Sequence, residues 1–238
     1  MRGLEFVGAN VSISDDPEQI RQADRLVLPG VGAFAAGMAE LSSRNLDESM
    51  MEAVKAGTSL LGICLGMQML LQSSEENGSH SGLGLVPGVV KAIPKKDASG
   101  ARRRKVPHIG WNALQYPMHR NTWHKSCLGS TKHGDFCYFA HSYMVVPQKT
   151  AHILAECQYE GLPIVAAIAW DNITGLQFHP ERSADLPVSI ATSGLARSAL
   201  RPGVGNVTNA KVVSKCQGTS VRVVNTRLRS VCFVLHTM

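Results

Sequence analysis

Acidic residues all but vanish from this chain after Glu181. Residues 184–238 hold Asp185 and no glutamate against seven lysines and arginines, whereas residues 1–183 carry 17 of each sign. The formal charge of +6 therefore belongs to the tail, and a positively charged recognition face on the body is not expected. Phe233 is the tail's one aromatic suited to base stacking, so nucleic acid is not an expected partner either. No apolar run approaches the roughly eighteen residues that cross a bilayer. The opening MRGLEFVGAN has no apolar signal core, and the expectation is a cytoplasmic protein with no membrane partner. The six cysteines, at 64, 127, 137, 157, 216 and 232, show no CxxC or Cys/His spacing, so free thiols and no metal are expected. Repeats and low-complexity segments are absent as well. What remains, 238 residues of which 44% are apolar and 18% charged, suffices for one α/β domain with a sizeable core.

The first third alternates short β-like runs with helical stretches, which points to a parallel sheet covered on both faces. VSIS at 11–14 reads as a strand, and DDPEQIRQA as a helix opened by acidic residues and a proline. RLVLPGVG follows as a buried strand ending in a glycine-rich turn. AFAAGMAELSS and LDESMMEAVKAG are amphipathic helices, the second closed by Gly57. TSLLGIC is the next strand, and LGMQMLLQSS carries a helical pattern. From about residue 85 strands joined by turns take over, among them VPGVVKAI, KVPHIGWNAL, FCYFAHSYMVV, HILAECQ, IVAAIAW and ITGLQFHPE. The insertion KKDASGARRRK reads as a solvated charged loop, with a phosphate-binding patch as the alternative.

Within LLGICLGMQMLL, at 60–71, Cys64 stands between Gly62 and Gly66. Glycines inside an apolar run cost stability, so a pair of them around one reactive side chain suggests a backbone bent for access. G-x-C-x-G on a strand-to-helix turn meets the needs of a nucleophile elbow, and a helix N-terminus at Cys64 favours the thiolate. A small buried cysteine with incidental glycines is the competing reading. A thiolate in acyl transfer needs a proton carrier, and the carrier needs an orienting acceptor. QFHPE at 177–181 offers both, because His179 and Glu181 share a face of an extended segment and Pro180 stiffens the piece between them.

GICLGMQ followed far downstream by QFHPE resembles the class I glutamine amidotransferases, whose triad runs Cys, His, Glu in chain order. LPGVGAF (28–34), SEENG (74–78), GLGLVPG (82–88), VPHIGWN (106–112) and FAHSY (139–143) narrow the resemblance to the glutaminase subunits of imidazole glycerol phosphate synthase. It spans roughly residues 3–183. It implies a flavodoxin-like α/β fold, a mostly parallel sheet with helices on both faces. By the same resemblance Cys64 is the nucleophile, His179 the acid/base and Glu181 its orienter. PGVG, with Gly30 and Gly32, matches the oxyanion strand, and Gln68, Ser142 and Tyr143 match positions that hold glutamine. Trp111, Asn112 and Arg182 match the face that meets a (β/α)8-barrel cyclase subunit. The implied activity releases ammonia from glutamine, without cofactor, for imidazole glycerol phosphate synthesis in histidine biosynthesis. For the non-triad positions, core packing or turn formation is the alternative.

Both ends depart from the family pattern. The strand, turn and most of the helix that open family members are missing before GLEFVGANVSIS, and that strand would be central in the sheet. After HPERS a basic tail stands where the family has an amphipathic helix. The expectation is an amidotransferase body over 1–183, truncated at its start, and a tail over 184–238 that is disordered, fused or out of frame. Its stretch VRVVNTRLRSVCFVL alternates like a strand but has no identifiable partner. Another class I amidotransferase, a γ-glutamyl hydrolase, or an inactive member acting only as a binding protein are the alternatives left open.

Overall fold

Asp16 starts the first helix in the way its sequence suggests: its side chain accepts the Glu18 amide at 2.9 Å and Pro17 occupies the first turn. That detail belongs to a computed structural model that describes residues 10–97, 99, 100 and 103–183, together with the backbone of three short strands in the tail. The order is β1 (Asn10–Ser14), α1 (Pro17–Gln22), β2 (Arg25–Gly30), α2 (Phe34–Ser43), α3 (Leu46–Lys55), β3 (Ser59–Cys64) and α4 (Leu65–Met69). Then come β4 (Leu71–Ser74), β5 (His80–Ser81), β6 (Val86–Ala92), β7 (His108–Ala113), β8 (Phe136–His141) and β9 (Tyr143–Pro147). The body closes with β10 (Ile153–Tyr159), β11 (Leu162–Trp170) and β12 (Ile173–Leu176). β13 (Lys215–Cys216), β14 (Thr219–Ser220) and β15 (Ser230–Val234) lie in the tail. Among the described residues no helix is long and apolar enough to cross a membrane.

The main sheet runs β1-β15-β2-β3-β12-β11-β10. Its first five strands are parallel neighbours, and β11 and β10 add on antiparallel. This is the mostly parallel α/β sheet expected. β15 lies between β1 and β2, parallel to both, with Val231 opposite Val11 on one side and Arg25 on the other. SVCFV, for which the sequence offered no partner, is therefore an interior strand, one in from the β1 edge. An unpaired slot there would leave two rows of backbone donors and acceptors open, and β15 supplies their partners. Residues 1–9, and with them the GLEF part of the family resemblance, lie outside the described residues, as does most of the tail.

Successive residues of β3 point to opposite faces. Leu60 joins one apolar cluster with Ile20, Phe34, Leu41, Met50 and Met67, which come from α1 to α4. Leu61 packs against a second cluster containing Trp123, Leu128, Phe139 and Phe178. The second face is covered by the β7-β8 ribbon and the segment around 114–128. A smaller sheet, β5-β4-β6-β9, stands beside the main one.

Three local expectations change. LGMQMLLQSS is helical only to Met69; Leu71–Ser74 is β4, paired with β5 and β6. An apolar run this short fits either period, and pairing with the neighbouring strands decides it. FCYFAHSYMVV is two strands rather than one: β8 pairs with β7, β9 with β6, and the change of sheet falls at Ser142, whose carbonyl accepts from the Ile93 amide at 2.9 Å. Within the charged insertion, Arg104 is only 9% exposed and donates to the carbonyls of Pro94 (3.3 Å), Lys96 (2.7 Å) and Glu160 (3.3 Å). It pins the loop instead of presenting a free cation.

Candidate active site

β3 and β12 are parallel neighbours with Ile63 opposite Leu176, so the residues that follow them emerge side by side at the C-terminal edge of the sheet. That edge is where open α/β sheets build their sites. Cys64 ends β3 at φ 55° and ψ −111°, a backbone conformation costly for a residue with a side chain. The flanking glycines allow it. A Cβ at Gly62 would lie 2.8 Å from the backbone of Gly66 and Met67, and one at Gly66 would lie 1.8 Å from the Leu28 carbonyl oxygen. The two glycines thus let the turn fold on itself and press against β2. The helix behind Cys64 is only five residues long, so its dipole is short and the polar side chains beside Cys64 matter too.

Those side chains come from the segment after β12. His179 stands beside Cys64, close enough for the two to interact, and its Nδ1 lies 2.9 Å from Glu181 Oε1. Its pKa is pushed up to about 10, first by its interaction with Cys64 and then by the hydrogen bond to Glu181, against the opposing effect of burial. Burial is the largest single influence on Glu181 and raises its pKa, but the His179 hydrogen bond, a backbone amide and the charges of His179 and Arg182 together hold it below the usual value. The segment is fixed to β8: the His179 amide donates to the Tyr138 carbonyl at 2.9 Å, and Ser183 Oγ donates to the His179 carbonyl at 2.7 Å. Gln177 Nε2 reaches Cys64 Sγ at 3.8 Å, while its Oε1 accepts from Gln68 Nε2 at 3.1 Å.

A cavity of about 280 Å³ opens over Cys64. Val31, Gly32, Gln68, Glu76, Ser142 and Tyr143 are among the residues that line it. Gly30 does not line it but stands opposite Cys64 in the β2-β3 register. Gln68 Nε2 also donates to the Tyr143 carbonyl at 3.2 Å. Two participants have no role in the sequence reading. Glu76, inside SEENG, lines the cavity and accepts the Phe34 amide at 2.7 Å. Gln177 stands two residues before His179, a spacing that would set both on one face of an extended segment, which was the available signal. Trp111 and Arg182 lie away from the cavity: Trp111 is 53% exposed on the ribbon, edge-on to Tyr138, and the Arg182 guanidinium sits 5.0 Å over the same Tyr138 ring. Asn112 turns to the other side, where Nδ2 donates to the Gln158 carbonyl at 2.8 Å.

A family model, glutamine amidotransferase class I, matches residues 3–186. The chain belongs to the class I glutamine amidotransferases. Within them it is 42% identical over 189 residues to imidazole glycerol phosphate synthase subunit HisH 1 of Legionella pneumophila (strain Lens), covering 79% of this chain and 88% of that one. It is 45% identical over 191 residues to the HisH subunit of Streptococcus gordonii, covering 80% and 86%. The Bacillus subtilis (strain 168) HisH subunit is 40% identical over 191 residues, with the same coverage. Among solved structures, one described as a glutamine amidotransferase superposes with a TM-score of 0.57 at 16% identity, covering 80% of this chain and 91% of that one, a likeness of fold.

Proposed function

We propose that this amidotransferase hydrolyses glutamine through Cys64, His179 and Glu181 and passes the ammonia to a (β/α)8-barrel cyclase that makes imidazole glycerol phosphate for histidine biosynthesis. The observation that carries the reading is Cys64 beside a His179 ring whose Nδ1 lies 2.9 Å from Glu181 Oε1, over a cavity of a size for one small ligand. Sγ attacks the side-chain carbonyl carbon of glutamine, and the oxygen takes the negative charge facing the backbone of the 30–32 segment. The imidazolium of His179 gives its proton to the departing nitrogen, the C–N bond breaks, and ammonia leaves a γ-glutamyl thioester. His179, now neutral, takes a proton from water, whose oxygen attacks the thioester to give glutamate and restore the thiolate–imidazolium pair. Glu181 holds the ring and steadies its charge. Glu76 is the carboxylate lining the cavity and suits the substrate's ammonium, and Gln68 and Tyr143 bound the same wall.

The partner reading rests on the relatives' names and on an exposed apolar face. Ile109, Trp111 and Phe136 are 60%, 53% and 59% exposed on the β7-β8 ribbon, more apolar surface than a lone strand pair normally shows to water. Docking there would cover the ribbon beside the cavity that Ile109 also lines. Glutamate release from glutamine, with and without a (β/α)8-barrel cyclase subunit and its nucleotide ligand, tests the proposal with Cys64→Ala as control. Release that the cyclase stimulates and the substitution abolishes is expected. Soluble protein that releases no glutamate under either condition would overturn it.

A further inference from the structure

His108 and His141 face each other on the inner side of the ribbon, at its end beside the cavity, and no step of the proposed chemistry uses them. His108 is 2% exposed and stacks on Phe139 (centroids 4.8 Å apart) and on Tyr159 (3.9 Å). His141 is buried and lines the cavity wall. Burial lowers both rings' pKa values, to about 4 for His108 and about 3 for His141, where the neighbouring His108 and His179 add to the effect and the Tyr143 hydrogen bond opposes it. Both are neutral at pH 7.

Their hydrogen bonds then leave one proton arrangement. His141 Nδ1 is 2.7 Å from the Tyr143 carbonyl, which can only accept, so the proton is on Nδ1 and Nε2 carries a lone pair. His108 Nδ1 lies 3.0 Å from that Nε2 and must donate to it. His108 Nε2 is left as an acceptor, and Asn112 Nδ2 faces it at 3.5 Å while holding the Gln158 carbonyl. Direction runs one way from the ribbon to the Tyr143 carbonyl. That oxygen also accepts from Gln68 Nε2, and Gln68 in turn holds Gln177 beside Cys64.

We propose that His108 and His141 are positioning residues: a buried, proton-ordered pair that fixes the Tyr143 carbonyl, and through it Gln68, so that the cavity wall is set for glutamine from the ribbon side. The pair acts on how glutamine is held, not on proton transfer at His179. This rests on the glutaminase reading above. A network of this kind is stiff only when every member is satisfied, which is why one missing donor is felt at its far end.

The test combines kinetics with a measurement that needs no turnover. Nitrogen-15 NMR of the wild-type protein should show both rings as Nδ1–H tautomers across neutral pH; an Nε2–H tautomer on either ring would overturn the proposal. His141→Leu removes the donor to Tyr143, and about a tenfold rise in KM for glutamine with kcat within about twofold is expected, the scale of one lost buried hydrogen bond. His141→Asn, whose amide can donate from nearly the position of Nδ1, should recover most of that loss. An unchanged KM in a folded His141→Leu protein, or a loss confined to kcat, would overturn the role. If His141→Leu does not fold, the tautomers and the kinetics of His141→Asn decide: a tenfold KM rise in the latter counts against the pair. Absence of glutamate release from wild type sinks the glutaminase reading and leaves the tautomer result standing by itself.

Discussion

A methyl group on Gly66 would fall 1.8 Å from the Leu28 carbonyl oxygen, a contact with backbone that cannot swing aside. Gly66→Ala should therefore cost about 3 kcal/mol or more, read as a lower denaturant midpoint. The charge on His179 makes a different prediction. Its pKa is raised from 6.5 to about 10, so its contribution to stability is complete below pH 6.5 and is lost as pH rises through 10. Cys64→Ala removes the largest cause, and the ring's NMR titration midpoint should move down; a midpoint that stays put would refute the pairing. His108 and His141 work at the other end of the scale, with stability present above pH 6.5 and lost as pH falls through about 4 and 3. At this scale the sequence was most readable where a residue type is rare for its setting. Cys64 between glycines and His179 two residues from Glu181 stand out without any coordinates. Glu76 and Gln177 do not, since nothing local separates a cavity-lining carboxylate or amide from a solvated one.

Elements were legible wherever their period was supported by local chemistry. The alternation from Asn10 to Cys64 has a capped helix, a buried strand and a glycine-closed helix to mark it. It was lost where pairing decides: Leu71–Ser74 as β4, and the break at Ser142 between two strands that belong to different sheets. The insertion after β6 shows the same limit, because a run of arginines looks alike whether it faces water or holds carbonyls. Arg104→Met should destabilise the fold by about 1–3 kcal/mol through the acceptors it leaves unmet, measured by urea unfolding. A change within about 0.5 kcal/mol would mean that the loop is held by other contacts. The ribbon makes the opposite forecast. Trp111→Ala should hardly alter thermal stability, since half of the side chain already meets water, yet weaken cyclase binding about tenfold or more by calorimetry, as expected of an aromatic anchor.

For the whole molecule the deciding feature is the strand that no sequence pattern could have placed, β15 between β1 and β2. A chain ending at residue 229 leaves β1 without its strand partner and one edge of β2 open, and the expected result is loss of cooperative unfolding in circular dichroism. A sharp transition in the shortened protein would show that the sheet closes without it. The pairing Val11 to Val231 also joins residues 220 positions apart. Contacts that distant form slowly, because a long loop must close before they repay it. On the ribosome, then, the sheet waits with an open slot until the 220 positions from Val11 to Val231 have been translated and β15 has cleared the exit tunnel. Through that interval the exposed edges of β1 and β2 are at risk of pairing with other chains, which makes this amidotransferase one whose yield in a cell should respond to the supply of chaperones.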